Sequence, residues 1–239
     1  MENDLHLSHH ISKRFNQELE EVRNQVLTMG GLVEQQVADG LVSLLDGDKE
    51  MAQKVIDNDT QVNKMEVDID ETCTEILARR QPAASDLRLM ISIIKTITDL
   101  ERIGDEAEKL GVNAIELSSI EGSAREFIEL RHLGESVKKM LSRSLDAYAR
   151  MDVDEALSII QSDKDINKEF DNISRLLVIK MMEDPREIKN ALRVSWCARA
   201  LERIGDHTKN ICEYIVYLVK GKDVRHTSLD KIRSEIKGS

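Results

Sequence analysis

The chain has 239 residues, 41% hydrophobic and 33% charged, with one Trp, three Tyr, three Phe and two Pro. So few aromatics and prolines disfavour sandwiches and barrels, and the dominance of Leu, Ala, Glu, Lys, Met and Arg points to an all-α protein. The formal charge of −11 offers no basic footprint for nucleic acid or an anionic lipid surface; it suits cations or basic protein surfaces.

The first ten residues lack a basic and then apolar leader, and no run of about 18 apolar residues occurs, so a cytoplasmic protein without a spanning helix is expected. His6, His9 and His10 sit in this opening stretch and are weak ligand candidates. Ile11, Phe15, Leu19, Val22, Val26, Met29, Val33, Val37, Leu41 and Leu44 then step by three and four, one continuous helical stripe. Asp46-Gly47-Asp48 ends it. A second helix is predicted over 49–80, stopping before Pro82. Ser85 or Asp86 is expected to cap a third, running through Leu89, Ile93, Ile97, Leu100 and Ile103 to Leu117. The polar segment 118–123 reads as a linker. Helices are then predicted over 124–151, 153–183 and 186–220, followed by a polar tail.

The second half repeats the first. Leu-Glu-Arg-Ile-Gly-Asp occurs at 100–105 and again at 201–206, 101 positions on. Asp59, Asn63 and Lys64 match Asp163, Asn167 and Lys168, 104 positions on, as Gly30 matches Gly134 and Leu41 matches Leu145. Ordered matches at a nearly constant offset mark a duplication. Helices this long with short connections pack antiparallel. The expected architecture is two tandem three-helix up-down bundles, over 1–119 and 120–221, with a tail over 222–239.

The repeated motif violates local helix rules. Glu101 and Asp105 are like charges at i and i+4, and Gly104 lies mid-helix; Glu202, Asp206 and Gly205 repeat both. Glu108 extends the first acidic stripe and Glu213 the second, while Lys209 replaces the counterpart of Glu108. Asp59, Asn63, Glu66 and Asp70 share a face of the second helix; Asp163 and Asn167 are the partners in the second unit. Clustered carboxylates and amides are hard oxygen donors for Mg, Mn, Ca or Fe, so a metal or metal-cluster site on each bundle is the functional reading. The plainer reading is a solvated acidic face, with Arg102 paired to Asp99 and Glu106 and the glycines serving helix packing.

Other features point less far. Glu129-x-x-His132 has the spacing of di-iron bundles, but Gln25 and Thr28 stand at the equivalent first-unit positions. Cys73, Cys197 and Cys212 are expected in core or semi-core positions; Trp196 reads as a core anchor, with an interface role as the alternative, and the Met181-Met182 pair as core, with an adaptable contact surface as the alternative. No Walker loop, GxSxG, HExxH or dinucleotide turn occurs, and a binding or regulatory module is favoured over an enzyme. No glycine nest or arginine cluster offers a phosphate pocket.

Several longer stretches resemble one family. Residues 29–34 read Met-Gly-Gly-Leu-Val-Glu, residues 80–89 Arg-Gln-Pro-Ala-Ala-Ser-Asp-Leu-Arg-Leu, and residues 181–186 Met-Met-Glu-Asp-Pro-Arg. With both Leu-Glu-Arg-Ile-Gly-Asp motifs, and over residues 8–221, the chain resembles the PhoU family. The resemblance implies two symmetrical three-helix bundles. It also implies a negative regulator of the phosphate-starvation regulon that restrains phosphate uptake. Such a protein would couple the ATPase subunit of a phosphate ABC transporter to a phosphate-sensing histidine kinase, at the inner membrane through these partners, as a homodimer. Family members carry E(D)xxxD on the third helix of each bundle, where some bind iron, zinc or magnesium clusters. That implies Glu101, Asp105, Glu202 and Asp206 as metal ligands, with Glu108, Glu213, Asp59, Asn63, Asp163 and Asn167 as further candidates. The second unit keeps the family's following residues as His207, Asn210, Ile211 and Glu213. The first departs with Glu106, Lys109, Leu110 and Val112, which implies that the first bundle's metal site differs in ligands or strength.

Overall fold

In the computed structural model, which describes residues 13–118, 128–225 and 227, the apolar stripes become six helices. They are α1 (Lys13–Asp46), α2 (Lys49–Arg80), α3 (Ala84–Leu117), α4 (Ile128–Arg150), α5 (Val153–Glu183) and α6 (Ile188–Lys220). Most of the linker, residues 124–127 and most of the tail lie outside the described residues.

The helix ends follow from local chemistry. Gly47, with φ 70°, takes the left-handed turn that closes α1. Asp48 caps α2 by accepting the Met51 amide, and Asp152 caps α5 by accepting that of Glu155, the same device in both repeats. The helix start expected at Ser85 or Asp86 lies earlier. Ala83 leaves Pro82 in extended conformation, and α3 begins at Ala84 with no side-chain cap. Asp86 is instead buried in the first turn, where the helix dipole favours its charge. The last helix also begins later than 186. Pro185–Glu187 form a single 3-10 turn, whose amide at Arg186 is capped by Asp184.

Within each bundle neighbours run antiparallel. Arg80, at the end of α2, grips Glu18 near the start of α1 through two bonds of 2.7 and 3.0 Å. Arg143 of α4 reaches Glu155 of α5 at 2.7 Å. The two bundles share one apolar core. Gly30 of α1 packs against Leu145 of α4, and Gly134 of α4 against Leu41 of α1. A Cβ on Gly30 would stand 2.7 Å from Leu145 Cδ2, so the leucine side chain would have to shift to admit it. The same pair of matched residues, exchanged, forms the contact twice.

The other seam joins α3 to α6 and is polar at its centre. Asp99 is buried and accepts bonds from Asn210 Nδ2 at 3.1 Å and Tyr214 Oη at 2.8 Å; its Oδ1 also lies 2.7 Å from His207 Nδ1. Glu106, also buried, pairs with Lys109 at 2.9 Å and with Arg203 of α6 at 3.1 Å. Arg193 pairs with Glu116 across the same seam. Asp99 and Glu106 thus have these partners in place of the expected pairing with Arg102.

The three cysteines are buried, as expected. Trp196 and Met182 are not. Trp196 is 55% exposed and Met182 78%, while Met181 is half-buried. On α6, Ile188, Leu192 and Trp196 form an exposed stripe at i, i+4 and i+8, on the side turned away from the core. Leu176, Val178 and Ile179 are exposed on the last turns of α5. The α5–α6 hairpin therefore ends in exposed apolar residues on both helices.

Candidate functional site

The glycine of the repeated motif decides how close α3 comes to α2. A Cβ on Gly104 would meet Gln36 Oε1 and Val62 Cγ1 at 3.3 Å and Asp59 Oδ1 at 3.4 Å. Without a side chain there, α2 lays Asp59 against the acidic stripe of α3. One carboxylate oxygen from each of Asp59, Asp105 and Glu108 lies within 4.8 Å of the others. Asp59 Oδ2 accepts from Asn63 Nδ2 at 2.9 Å, whereas Asp59 Oδ1 is buried beside the Gln36 side-chain amide without a hydrogen bond of good geometry. A buried carboxylate oxygen without a well-placed donor is expensive to leave so. A cation is the partner whose charge suits it.

The electrostatics agree. Burial, then the charge of Asp105, holds the Asp59 carboxyl above its usual range, against the opposing amides of Asn63 and Gln36. Glu108 is raised by burial and by Asp59 and Asp105. Glu101 is raised by burial, then by Asp105, Glu66 and Asp59. Glu66 accepts a bond from Thr98 Oγ1 at 3.2 Å. Five acids from two helices therefore crowd one groove, three of them close enough for a common ion. These oxygen donors fit a hard divalent cation.

The duplicated groove has the same frame and a different charge. Asp163 Oδ2 accepts from Asn167 Nδ2 at 3.3 Å, as Asp59 does from Asn63, and Asp163 Oδ1 has no partner. Gly205 sits against Ile166, whose Cγ2 would be 3.2 Å from a Cβ. Here, however, Lys209 Nζ binds Asp163 Oδ2 at 3.1 Å. Burial disfavours the Lys209 charge, but Asp163, Glu213 and Asp206 together raise its pKa. Asp206 is raised by burial and by Asp163, with Lys209 opposing. Glu202 pairs with Arg199 at 3.2 Å, and the Arg199 guanidinium stacks 4.4 Å from the ring of Phe170, which occupies the position equivalent to Glu66.

The candidate residues therefore part company. Asp59, Asp105 and Glu108 converge, with Glu101 and Asn63 beside them. Asp163, Asn167, Asp206 and Glu213 gather around a lysine, and Glu202 turns to an arginine. Glu106 and Lys109, expected to alter the first bundle's site, lie instead at the seam between bundles, and so do their counterparts His207 and Asn210. Of the differences between the units after the motif, two touch an acidic cluster, Lys209 for Glu108 and Glu213 for Val112, and both lie in the second bundle. Glu129 and His132 are exposed on α4.

The PhoU domain family matches residues 26–113 and again 130–215. The phosphate-specific transport system accessory protein PhoU homolog of Pseudomonas putida is 54% identical over 98% of this chain and 91% of its own length. The phosphate-specific transport system accessory protein PhoU of Escherichia coli K12 is 48% identical over 98% and 97%. Among solved structures, PhoU from Pseudomonas aeruginosa is 54% identical and aligns with a TM-score of 0.85 over 87% of this chain and all of that one. The phosphate transport system regulatory protein PhoU from Streptococcus pneumoniae is 34% identical, with a TM-score of 0.81 over 88% of this chain and 99% of its own. The family match falls on both repeats, the likeness to these relatives runs over nearly the whole chain, and the protein belongs to the PhoU family.

Proposed function

We propose that this protein is a non-enzymatic regulatory adaptor of phosphate transport, working in the cytoplasm and brought to the inner membrane by its partners. It restrains uptake and the phosphate-starvation response by linking the ATPase subunit of a phosphate transporter to a phosphate-sensing histidine kinase. The full-length likeness to phosphate-transport accessory proteins supports the system it serves. The exposed apolar end of the α5–α6 hairpin carries the adaptor reading. Its counterpart on α2 carries no large apolar side chain: Thr72, Thr74, Glu75 and Ala78 stand 104 positions before Leu176, Val178, Ile179 and Met182. On α3 the counterparts of Ile188 and Trp196 are Leu87, which is exposed, and Lys95, so the apolar face is fuller in the second repeat, and such a face is suited to contact with another protein.

A divalent cation at Asp59, Asp105 and Glu108 forms part of the proposal. It would neutralise the crowded acids and join α2 to α3. An all-oxygen set favours Mg or Mn, and then Fe, over Zn.

Pull-down of the purified transporter ATPase subunit and of the kinase's cytoplasmic portion tests the adaptor reading. The chain is expected to retain both, and Trp196→Asp to lose at least one while its helical circular dichroism is unchanged. Retention of neither partner by the unmodified chain contradicts the reading. A homodimer through the same end, which the exposed apolar positions also suit, would show as Trp196→Asp shifting the sedimentation coefficient to that of a monomer.

A further inference from the structure

The two acidic clusters descend from one duplicated frame, yet they carry opposite solutions to the same electrostatic problem. In the first, Asp59, Asp105 and Glu108 face one another with no basic side chain bonded to any of them among the described contacts. In the second, Lys209 stands at the position of Glu108 and inserts its ammonium against Asp163. The rest of the second cluster is diverted in the same direction, Glu202 to Arg199 and the Glu66 position to Phe170 beneath that guanidinium.

We infer that Lys209 is a built-in cation that closes the second site, so that only the first bundle takes a divalent ion. A divalent ion entering the second groove meets a fixed positive charge 3.1 Å from its principal carboxylate, and must displace it at the expense of an ion pair. The groove keeps the other elements: Asp163 Oδ1 is buried without a partner, Asn167 orients Oδ2, and Asp206 lies beside them. Removing the lysine should therefore reopen a site. The duplication leaves one cation-responsive bundle and one whose α5–α6 groove is held by protein charge alone, and that second bundle also bears the apolar end. The inference rests on reading both clusters as versions of one carboxylate site.

Calorimetric titration of the full-length protein with Mn²⁺ alone tests it, using Asp59→Asn/Asp105→Asn as the background so that only the second cluster is read. The background should bind no Mn²⁺ there. Adding Lys209→Glu, which copies Glu108, should gain one ion with affinity raised at least about tenfold, and a further Asp163→Asn should abolish it. Lys209→Gln, a smaller change, serves if the glutamate variant fails to give a native circular dichroism spectrum; it too should gain binding. The inference is overturned if the background binds an ion that Asp163→Asn removes, or if the folded Lys209 variant gains none. Titration of the unmodified chain reads the first cluster separately. Absence of binding there overturns the cation reading of the first bundle, and the second cluster is judged on its own variants.

Discussion

Lys209 Nζ lies 3.1 Å from Asp163 Oδ2, at the place where the first bundle sets Glu108 beside Asp59. In a duplicated frame, the second cluster thus contains a cation of its own where the first has a third carboxylate. The consequences reach stability as well as binding.

The first groove should make the cation-free protein more stable on mild acidification. Asp59, Glu101 and Glu108 have carboxyls raised above 3.8, 4.5 and 4.5, chiefly by burial and by one another. The folded state therefore holds protons that the unfolded chain releases, and stability falls as pH rises through the interval above those ordinary values. The acids lowered by arginine, Glu18, Asp184 and Asp223, act the other way and only below their ordinary values. The melting temperature without divalent ions should rise as pH is lowered from neutral towards the ordinary carboxylate range. Mn²⁺ at neutral pH should raise it too, and Asp59→Asn should weaken both effects. A melting temperature that falls steadily with acid would contradict the account.

Asp99 is predicted to be the most sensitive polar position. It is buried and serves His207, Asn210 and Tyr214 at once. Asp99→Ala leaves three groups on α6 without their partner and should cost about 3 kcal/mol, with Asp99→Asn milder. Urea unfolding measures both. A loss below about 1 kcal/mol for the alanine variant would mean that water replaces the carboxylate fully.

Gly134→Ala should destabilise by about 1–3 kcal/mol, because the new methyl enters the space of Leu41 on the facing helix. Leu41 is fully buried, so Leu41→Ala alone opens a cavity and should also destabilise. The double variant should lose less than the sum of the two. Strict additivity would show that Gly134 and Leu41 do not constrain one another.

The thiols should be silent in the native protein. Cys73 and Cys197 are buried and their pKa values are pushed up to about 12, and burial pushes Cys212 up as well. A thiol-reactive disulfide reagent should label none of them at neutral pH until denaturant unfolds the chain. Rapid labelling of the folded protein would contradict their placement.

Much of this architecture is legible in the sequence because its signals are local. The stripe from Phe15 to Leu44 steps by three and four, Gly47 ends it, Pro82 follows the second helix, and the repeat at 100–105 and 201–206 announces the duplication. The acidic groove is half legible: Asp105 and Glu108 share a helix face, but Asp59 joins them only through the packing that Gly104 permits. Lys209 is visible as a substitution, yet its reach to Asp163 is a tertiary fact. The partners of Asp99 lie more than 100 residues away, and no periodicity reports them. Trp196 misleads for a different reason. Ile188, Leu192 and Trp196 have the same helical spacing as a core stripe, so a second apolar face on α6 reads as more core.

Under the proposed function, this protein restrains the phosphate-starvation response through protein contact at the apolar end of the second bundle. Expression of a phosphate-starvation reporter in phosphate-rich medium tests it most directly, in cells lacking the gene and in cells supplied with the unmodified chain or with Trp196→Asp. The account predicts high expression without the gene, repression by the unmodified chain, and failure of Trp196→Asp to repress at equal protein level. A reporter equally low in all three strains would contradict the regulatory role, and full repression by Trp196→Asp would contradict the assigned contact surface.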